Sequence, residues 1–483
     1  MPSFGFIGSS YQVSTADVEE TMNLHVETIK PVEGRSQGSA KRLVATPGLA
    51  AWADLPTQPV QGEHEASGRG FVVSGWVLYE VFAGATYNQL GYLVAGSTCV
   101  FADSPTQLLV SNGTQGYIFQ LANGVNFDTS LAEVAGTFSQ ISDPGWLGGS
   151  TVGFGDGYFF ATEPNSQVYT LSALNDGLSW SALDFGDVEG APENVVGMIV
   201  HQRMPWFFCS DHGEVYYNSG NANFPYTRLQ GAYLDQGLAS AETLRKCDNT
   251  LFWVGQNKDG EGMVWRANGY TPQRISDYGV ELALGAAALL PGGLSGATAY
   301  VYQENGHTFY RLDFQKQTWV YDVGEDEWHR RGQYNALTGL FNQHPAQRHM
   351  FVFNQHIVGD YQSGNLWTQS MANPTDLGVA IRRVRRAPVV SKEDDFIKFK
   401  SLRLLMVLAN LVAGATPTIT LRSSDDGGKS FRNERTIPLP LIGNGAGIVE
   451  WRRLGRARRR VFEVIIEQPF FVSFTNALLE YGK

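Results

Sequence analysis

Few residues in this chain stand where a catalyst or a metal would need them. The three cysteines, Cys99, Cys209 and Cys247, are odd in number, far apart and outside any CxxC spacing. They make neither a disulfide framework nor a zinc site, and read as buried thiols of a chain folded in a reducing cytosol. Among nine histidines, His344, His349 and His356 follow one another at intervals of five and seven. A helical i, i+4 ligand pair needs another spacing, and an odd interval on a strand puts neighbours on opposite faces. They read as ordinary surface or core histidines. The run Asp322-Val323-Gly324-Glu325-Asp326-Glu327 could attract a cation, but it lacks the alternating oxygen ligands of a calcium loop and reads as an exposed turn. GxSxG, HExxH and GxxxxGK[ST] patterns are missing. The expectation is a protein with no catalytic residue, metal ligand or cofactor, and so not an enzyme.

Two features are more specific. Arg382-Arg383-Val384-Arg385-Arg386 and Arg452-Arg453-Leu454-Gly455-Arg456-Ala457-Arg458-Arg459-Arg460 concentrate positive charge, with Arg382, Arg383, Arg385, Arg386, Arg452, Arg453, Arg456, Arg458, Arg459 and Arg460 as candidate contacts to another subunit or an adaptor. A nucleic-acid groove would release counterions from phosphates, but the aromatic interleaving of single-strand binders is poor here. Arg outnumbers Lys 26 to 10, as at protein interfaces, where the weakly hydrated planar guanidinium is favoured. Ser424-Asp425-Asp426-Gly427-Gly428-Lys429-Ser430-Phe431 resembles the Asp-box hairpin of sialidase-type propellers, in which the carboxylate locks a turn by accepting backbone N–H bonds. Ser424, Asp426, Gly428 and Phe431 are therefore assigned a structural role, because one copy with no assignable catalytic set does not make a glycosidase.

The elements that position these residues read as strands. The 483 residues exceed one compact core, Gly (54) and aromatic residues (12%) run high, and charged residues are only 17%. Alternating strands flank Asn305-Gly306 in the segment 299–312, the strongest short hairpin signal, and 317–321 with 327–330 complete a four-strand meander. Weaker hairpins turn at Asn112-Gly113, Asp156-Gly157, Asp211-His212-Gly213, Lys258-Asp259-Gly260 and Ser363-Gly364, roughly every 50 residues, the spacing of propeller blades. The expected fold is all-β: a divergent β-propeller of six or seven blades over 49–372, a basic β-sandwich-like domain over 373–483, and an N-terminal arm over 1–48 packing on that domain or on an adaptor. Residues 15–28 read as a weak helix. The start lacks the pattern of a signal peptide and no apolar run reaches a bilayer's span.

Charge divides the chain. Residues 1–376 carry 17 Lys and Arg against 37 Asp and Glu, a balance of −20, whereas residues 377–483 carry 19 against 10, a balance of +9. Two surfaces facing different partners are implied.

In order along the chain, Asn23-Leu24-His25-Val26-Glu27, Thr46-Pro47-Gly48-Leu49, Glu214-Val215-Tyr216-Tyr217-Asn218-Ser219-Gly220, Phe224-Pro225-Tyr226, Leu251-Phe252-Trp253-Val254-Gly255, Gly306-His307-Thr308-Phe309-Tyr310, Thr318-Trp319-Val320-Tyr321-Asp322, Trp328-His329-Arg330-Arg331, Ser424–Gly428 and Trp451–Arg458 resemble the packaged-DNA stabilisation family of short-tailed phages, also called tail accessory or nozzle proteins. The resemblance spans nearly the whole chain. It departs at His25, where the family usually has Tyr, at Tyr216 and at Phe431, where it usually has Trp.

The resemblance implies a virion protein of the phage tail, assembled in the host cytoplasm. Six copies would form a ring below the portal and its head-to-tail adaptor, extend the DNA channel and retain packaged DNA. A tail fibre or spike and a plug or needle would contact the ring, and double-stranded DNA would pass its lumen without sequence-specific binding or membrane insertion. The alternatives are a glycan-binding or glycan-cleaving propeller at the host surface, marked by clustered carboxylates in a central pocket, and a monomeric cytosolic scaffold.

Overall fold

The computed structural model describes residues 5–7, 19–29, 40–121, 136–188, 190, 192–221, 224–256, 262–392, 395–409, 417–439 and 446–482. Between residues 48 and 370 the chain winds into seven blades, each with four antiparallel strands in a row. Blades 1 to 6 occupy residues 60–92, 100–140, 152–187, 197–234, 245–274 and 298–331. Blade 7 takes three strands from 346–370 and its fourth from Gly48–Asp54, which pairs antiparallel with Asn365–Ser370. One blade thus joins two ends of the propeller segment.

The sequence accounts for the hairpins. In six blades the first two strands meet through two residues at positive φ, a geometry whose twist matches the strands it connects. Asn305 (φ 52°) and Gly306 (φ 84°) are the pair expected in blade 6, and Asp156-Gly157 the pair expected in blade 3. Gln202-Arg203, Asp248-Asn249 and Phe353-Asn354 do the same without glycine. The turns at 112–115, 209–212 and 361–364 fall where the sequence places them, between the second and third strands of their blades. The turn expected at Lys258-Asp259-Gly260 lies outside the described residues.

Seven buried clusters fill the seven gaps between blades, which closes the ring. Phe71 and Leu78 of blade 1 pack with Phe119 of blade 2, and Ile118 of blade 2 with Phe159 of blade 3. Tyr169 meets Phe207 between blades 3 and 4, and Phe208 meets Trp253 between blades 4 and 5. Phe252 packs with Tyr310 and Trp319 between blades 5 and 6, Tyr302 and Phe309 with Trp367 between blades 6 and 7, and Ile357 and Leu366 with Val72 and Tyr79 between blades 7 and 1. A helix unforeseen in the sequence, Tyr278–Ala288, wedges Val280, Leu284 and Ala287 between blades 5 and 6. Its N-cap, Asp277, accepts a bond from Val280 N at 2.9 Å.

Beyond the propeller lies a two-sheet sandwich. One sheet runs Leu24–Ile29, Ala40–Ala45, Phe471–Gly482, Ile397–Ala409, Ala446–Ala457 in spatial order, and the other Glu20–Met22, Arg382–Arg386, Arg459–Glu467, Thr418–Ser424, Arg432–Pro438. Leu402, Leu404, Val449, Trp451, Phe462, Val464 and Phe474 fill the space between them. The helix expected over 15–28 is corrected where it is described: residues 20–22 and 24–29 are strands, since the alternating Leu24-His25-Val26 finds full ladders against Ala40–Ala45. Met22 also pairs with Arg330, so the second sheet continues blade 6. Among the described residues no helix is long and apolar enough to cross a membrane.

Candidate docking surface and propeller channel

The two arginine runs have different fates. Arg382–Arg386 is an interior strand, hydrogen-bonded to Glu20–Met22 on one side and Arg459–Glu467 on the other. Alternation turns Arg383 and Arg385 into one face, where they are 1% and 0% exposed. Arg385 donates to the carbonyls of Phe6 (2.7 Å) and Gly5 (3.0 Å), to Thr21 Oγ1 (2.9 Å) and to the Glu19 carboxylate. Arg383 donates to the carbonyls of Gln468 and Pro374, and burial pulls its pKa down to about 10. On the opposite face Arg382 pairs with Glu467 at 2.7 Å and stacks on Tyr334, while Arg386 joins Glu463 (2.7 Å) to Glu20 (3.0 Å). These four side chains hold the sandwich together. A partner-facing role for Arg383 and Arg385 is therefore corrected, because a fully desolvated guanidinium already bonded inside the chain presents nothing outward.

The second run ends its strand at the surface. Arg452, Arg453, Arg456, Arg458 and Arg459 are exposed, whereas Arg460 is turned inward, forked onto Asp425 at 2.6 and 2.7 Å and laid over Phe399. Arg453 (φ 57°) and Gly455 (φ 84°) bend the strand's end, and Arg456 and Arg458 flank the exposed Phe396 ring at 5.2 and 4.8 Å. Beside them opens a groove of about 1040 Å³ with Lys398, Lys400, Arg403, Arg452, Arg453 and Arg456 on its walls. Glu450 answers Arg452 (2.9 Å) and Arg403 (3.6 Å), and Glu480 answers Lys400 (3.1 Å). Lys398, Arg453 and Arg456 have no carboxylate partner among the described residues. The groove is thus a positively charged recess with an aromatic edge, suited to an acidic protein surface.

The Asp-box turn sits in the sandwich, between Thr418–Ser424 and Arg432–Pro438. Asp426 Oδ1 accepts from Lys429 N (3.0 Å), Ser430 N (3.0 Å) and Ser424 Oγ (2.6 Å), and Gly428 N donates to Ser424 Oγ at 2.8 Å. These bonds hold the Asp426 carboxyl far below the usual carboxylate range. Phe431 closes the turn between the guanidinium groups of Arg386 and Arg422, at 4.8 and 5.0 Å.

The first strands of all seven blades surround a cavity of about 300 Å³ on the propeller axis. Its charges are mostly answered within the chain. Arg348 of blade 7 binds Glu242 ahead of blade 5, and His64 donates to Asp103 at 2.8 Å. Burial pushes the Cys99 thiol far up, which disfavours its thiolate form. Glu63 is the exception, with both carboxylate oxygens closed off and unbonded, and burial raises its pKa well above normal. Its carboxylate lies against Gly359 in the wall between blades 1 and 7, and the residue also lines the cavity. Of the histidines singled out, His349 and His356 bond to each other at 2.9 Å on adjacent strands, and His344 joins Arg311 and Arg331. Asp322 serves His307 and the backbone of its own turn. Among the described residues, Glu193, Asp211 and His212 alone bring three possible metal-ligand atoms within 4.8 Å of one another. The sequence marked Asp211-His212 only as part of a turn and gave no signal that Glu193 would join them.

Comparison with known proteins now adds to the geometry. No curated protein matches. Solved structures similar to the chain include the extracellular domain of a hybrid two-component system of Bacteroides thetaiotaomicron (TM-score 0.42, 10% identity, 73% of this chain and 43% of that one). PorZ, a surface component of the type-IX secretion system of Porphyromonas gingivalis, gives a TM-score of 0.39 at 11% identity over 74% of this chain and 44% of that one. A B. thetaiotaomicron protein of unknown function gives 0.35 at 7% identity, over 72% and 90%. The chain thus spans less than half the length of the first two, and such scores bear on no function. A family model described as bacteriophage P22 Gp10, beta-propeller, matches residues 19–371. With that match over most of the chain and a ring of seven blades beneath it, the chain belongs to the phage stabilisation family typified by the P22 Gp10 β-propeller.

Proposed function

We infer that the chain is a structural virion protein of a short-tailed phage, and that it works by shape and charge rather than by making or breaking bonds. In this reading six copies form a nozzle ring below the portal and its adaptor. The ring extends the DNA channel, helps retain packaged DNA and carries fibre and plug attachments. Family membership supports the setting, and the segregation of charge carries the arrangement: −20 over residues 1–376, nearly all arm and propeller, and +9 over residues 377–483, mostly sandwich. A lumen walled by acidic propellers repels the duplex and lets it slide, because attractive phosphate contacts would grip it.

Docking falls to the sandwich, at the groove whose Lys398, Arg453 and Arg456 have no carboxylate partner among the described residues, together with the exposed Arg452, Arg458 and Arg459. The adaptor or a neighbouring subunit supplies the acidic face. Replacing Arg452, Arg453, Arg456, Arg458 and Arg459 with Gln leaves the folded core intact, since none of the five is buried. Tails assembled from this variant at physiological salt should incorporate it at least tenfold less well, and wild-type incorporation should fall as salt rises. Normal incorporation of the variant would remove this docking surface from the account.

A further inference from the structure

Where the chain enters blade 4, a loop and a turn bring carboxylates around one buried imidazole. The loop leads into the first strand of the blade, Gly197–His201, and carries Glu193. The turn joins the strands Met204–Phe208 and Gly213–Asn218 and carries Asp211 and His212. Backbone bonds fix both: Val196 N donates to the Phe208 carbonyl at 2.8 Å, and Cys209 N to the His212 carbonyl at 2.8 Å. His212 is 1% exposed, and its ring stacks on Tyr233 with 5.4 Å between centroids.

His212 Nδ1 stands 2.8 Å from Asp211 Oδ1 and 4.0 Å from Glu193 Oε2, and the three residues bring one ligand atom each within 4.8 Å of one another. The far side of the ring adds an independent observation. His212 Nε2 is buried without a hydrogen-bond partner, and so is Oε1 of the fully buried Glu214, although Arg228 Nη1 stands 3.2 Å from that oxygen. A Cβ built on Gly190 would lie 3.5 Å from Nε2 and 1.8 Å from Glu214 Oε1, so both atoms border the same glycine. Orphaned buried polar atoms are uncommon and require a reason. A proton on Nδ1 would serve Asp211 but leave a bare lone pair on Nε2 beside Glu214. A proton on Nε2 would serve that side but set the Nδ1 lone pair against Asp211 and Glu193. Neither neutral tautomer suits both sides, whereas a cation at Nδ1 does.

We propose that Glu193, Asp211 and His212 bind one divalent metal ion of the zinc class, through a carboxylate oxygen of each acid and His212 Nδ1, with Glu214 as the positioning residue that accepts from Nε2–H. Zinc bonds of about 2.0–2.2 Å set ligand atoms roughly 3.4 Å apart on a tetrahedron, between the 2.8 and 4.0 Å of this group. One imidazole and two carboxylates form a nitrogen–oxygen set suited to zinc, whereas calcium asks for about six to eight oxygens. The Glu193 and Asp211 side chains are 30% and 23% exposed, which gives the ion a way in and leaves water to complete its shell. Ser210 Oγ donates to Glu193 Oε2 at 2.6 Å and holds that carboxylate in place. The local field is negative: burial, then the carboxylates of Glu193, Glu214 and Asp211, push the neighbouring Cys209 thiol up to about 12. The ion would tie the link between blades 3 and 4 to the turn of blade 4.

The test uses the untagged full chain, stripped with chelator and dialysed against micromolar zinc. Elemental analysis should give one zinc per chain. Zinc should also slow amide hydrogen exchange over residues 193–196 and 209–212 by about tenfold or more, with blades 1 and 6 unchanged. Glu193→Gln, a change at a partly exposed loop position, should weaken zinc binding at least about tenfold, and Glu214→Gln by about 10–100-fold. Wild-type protein that takes up no stoichiometric zinc, zinc bound without slower exchange at those residues, or Glu193→Gln that binds as wild type does would each overturn the proposal. The two wild-type measurements stand even if a variant fails to fold.

Discussion

Replacing Arg385 separates an internal role for the first arginine run from a role at a partner surface. Its guanidinium is fully buried and holds Glu19, Thr21 and the carbonyls of Gly5 and Phe6, all from the N-terminal arm. Arg385→Met keeps the aliphatic stem but removes the guanidinium that meets the Glu19 carboxylate, itself 6% exposed, and two carbonyls. Removing one partner of a buried ion pair costs about 3–5 kcal/mol. At about 1.4 kcal/mol per tenfold, local opening of the arm should rise by roughly 10²–10³·⁵. Amide hydrogen exchange in the isolated chain reads this directly, as lost protection over residues 20–29 with the blades unchanged. Adding Glu19→Gln should restore part of the protection, because the second charge no longer needs a partner. An increase of less than about tenfold in the single variant would refute the reasoning, as a surface arginine waiting for a partner would leave the isolated chain unaffected.

Acid should loosen the molecule. Burial, reinforced by nearby cations, holds His25 and His344 at about 3, and burial with the neighbouring His356 does the same to His349. Below about pH 6.5 the unfolded chain takes up these protons and the folded chain does not. Stability then falls by about 1.4 kcal/mol per pH unit for each histidine, ceasing near pH 3. His307, raised by its bond to Asp322, has the opposite sign: its contribution is present in acid and is lost as pH rises through its folded value. A melting temperature that stays flat between pH 7 and 4.5 would contradict the sum. Gly48→Ala places a Cβ 2.3 Å from the Thr375 carbonyl and 2.4 Å from that of Asn373. It should destabilise blade 7 by about 1–3 kcal/mol, seen as faster exchange over residues 365–370. Asp426→Ala should open the 424–430 turn to protease while leaving exchange in the blades unchanged, since its bonds stay within the turn.

Local signals made the blades legible. Asn305-Gly306 and Asp156-Gly157 announce their turns because glycine accepts positive φ freely, and the meander at 299–330 follows from alternation alone. Phe353-Asn354 and Gln202-Arg203 adopt the same geometry with side chains that prefer to avoid it, so packing in the blade imposes a turn that the residues do not advertise. The arm misled for a related reason. Its strand Glu20–Met22 is completed by residues more than 300 positions away, including Arg330 and Val384, and periodicity within the segment cannot reveal them. Arginine composition correctly marked the sandwich as the charged end. It could not separate Arg385, whose partners come from the arm, from Arg453 and Arg456, which meet no carboxylate among the described residues, because that depends on which face of which strand is covered.

The central claim is that this polypeptide forms a wall segment of the conduit through which the genome travels. Electron cryomicroscopy of mature particles tests it most directly. The account predicts seven-bladed density repeated six times around the axis beneath the portal, with the basic sandwich against the adaptor and the acidic propellers toward the distal end. Particles that retain and eject their DNA normally with this chain missing from the axial tail would contradict it.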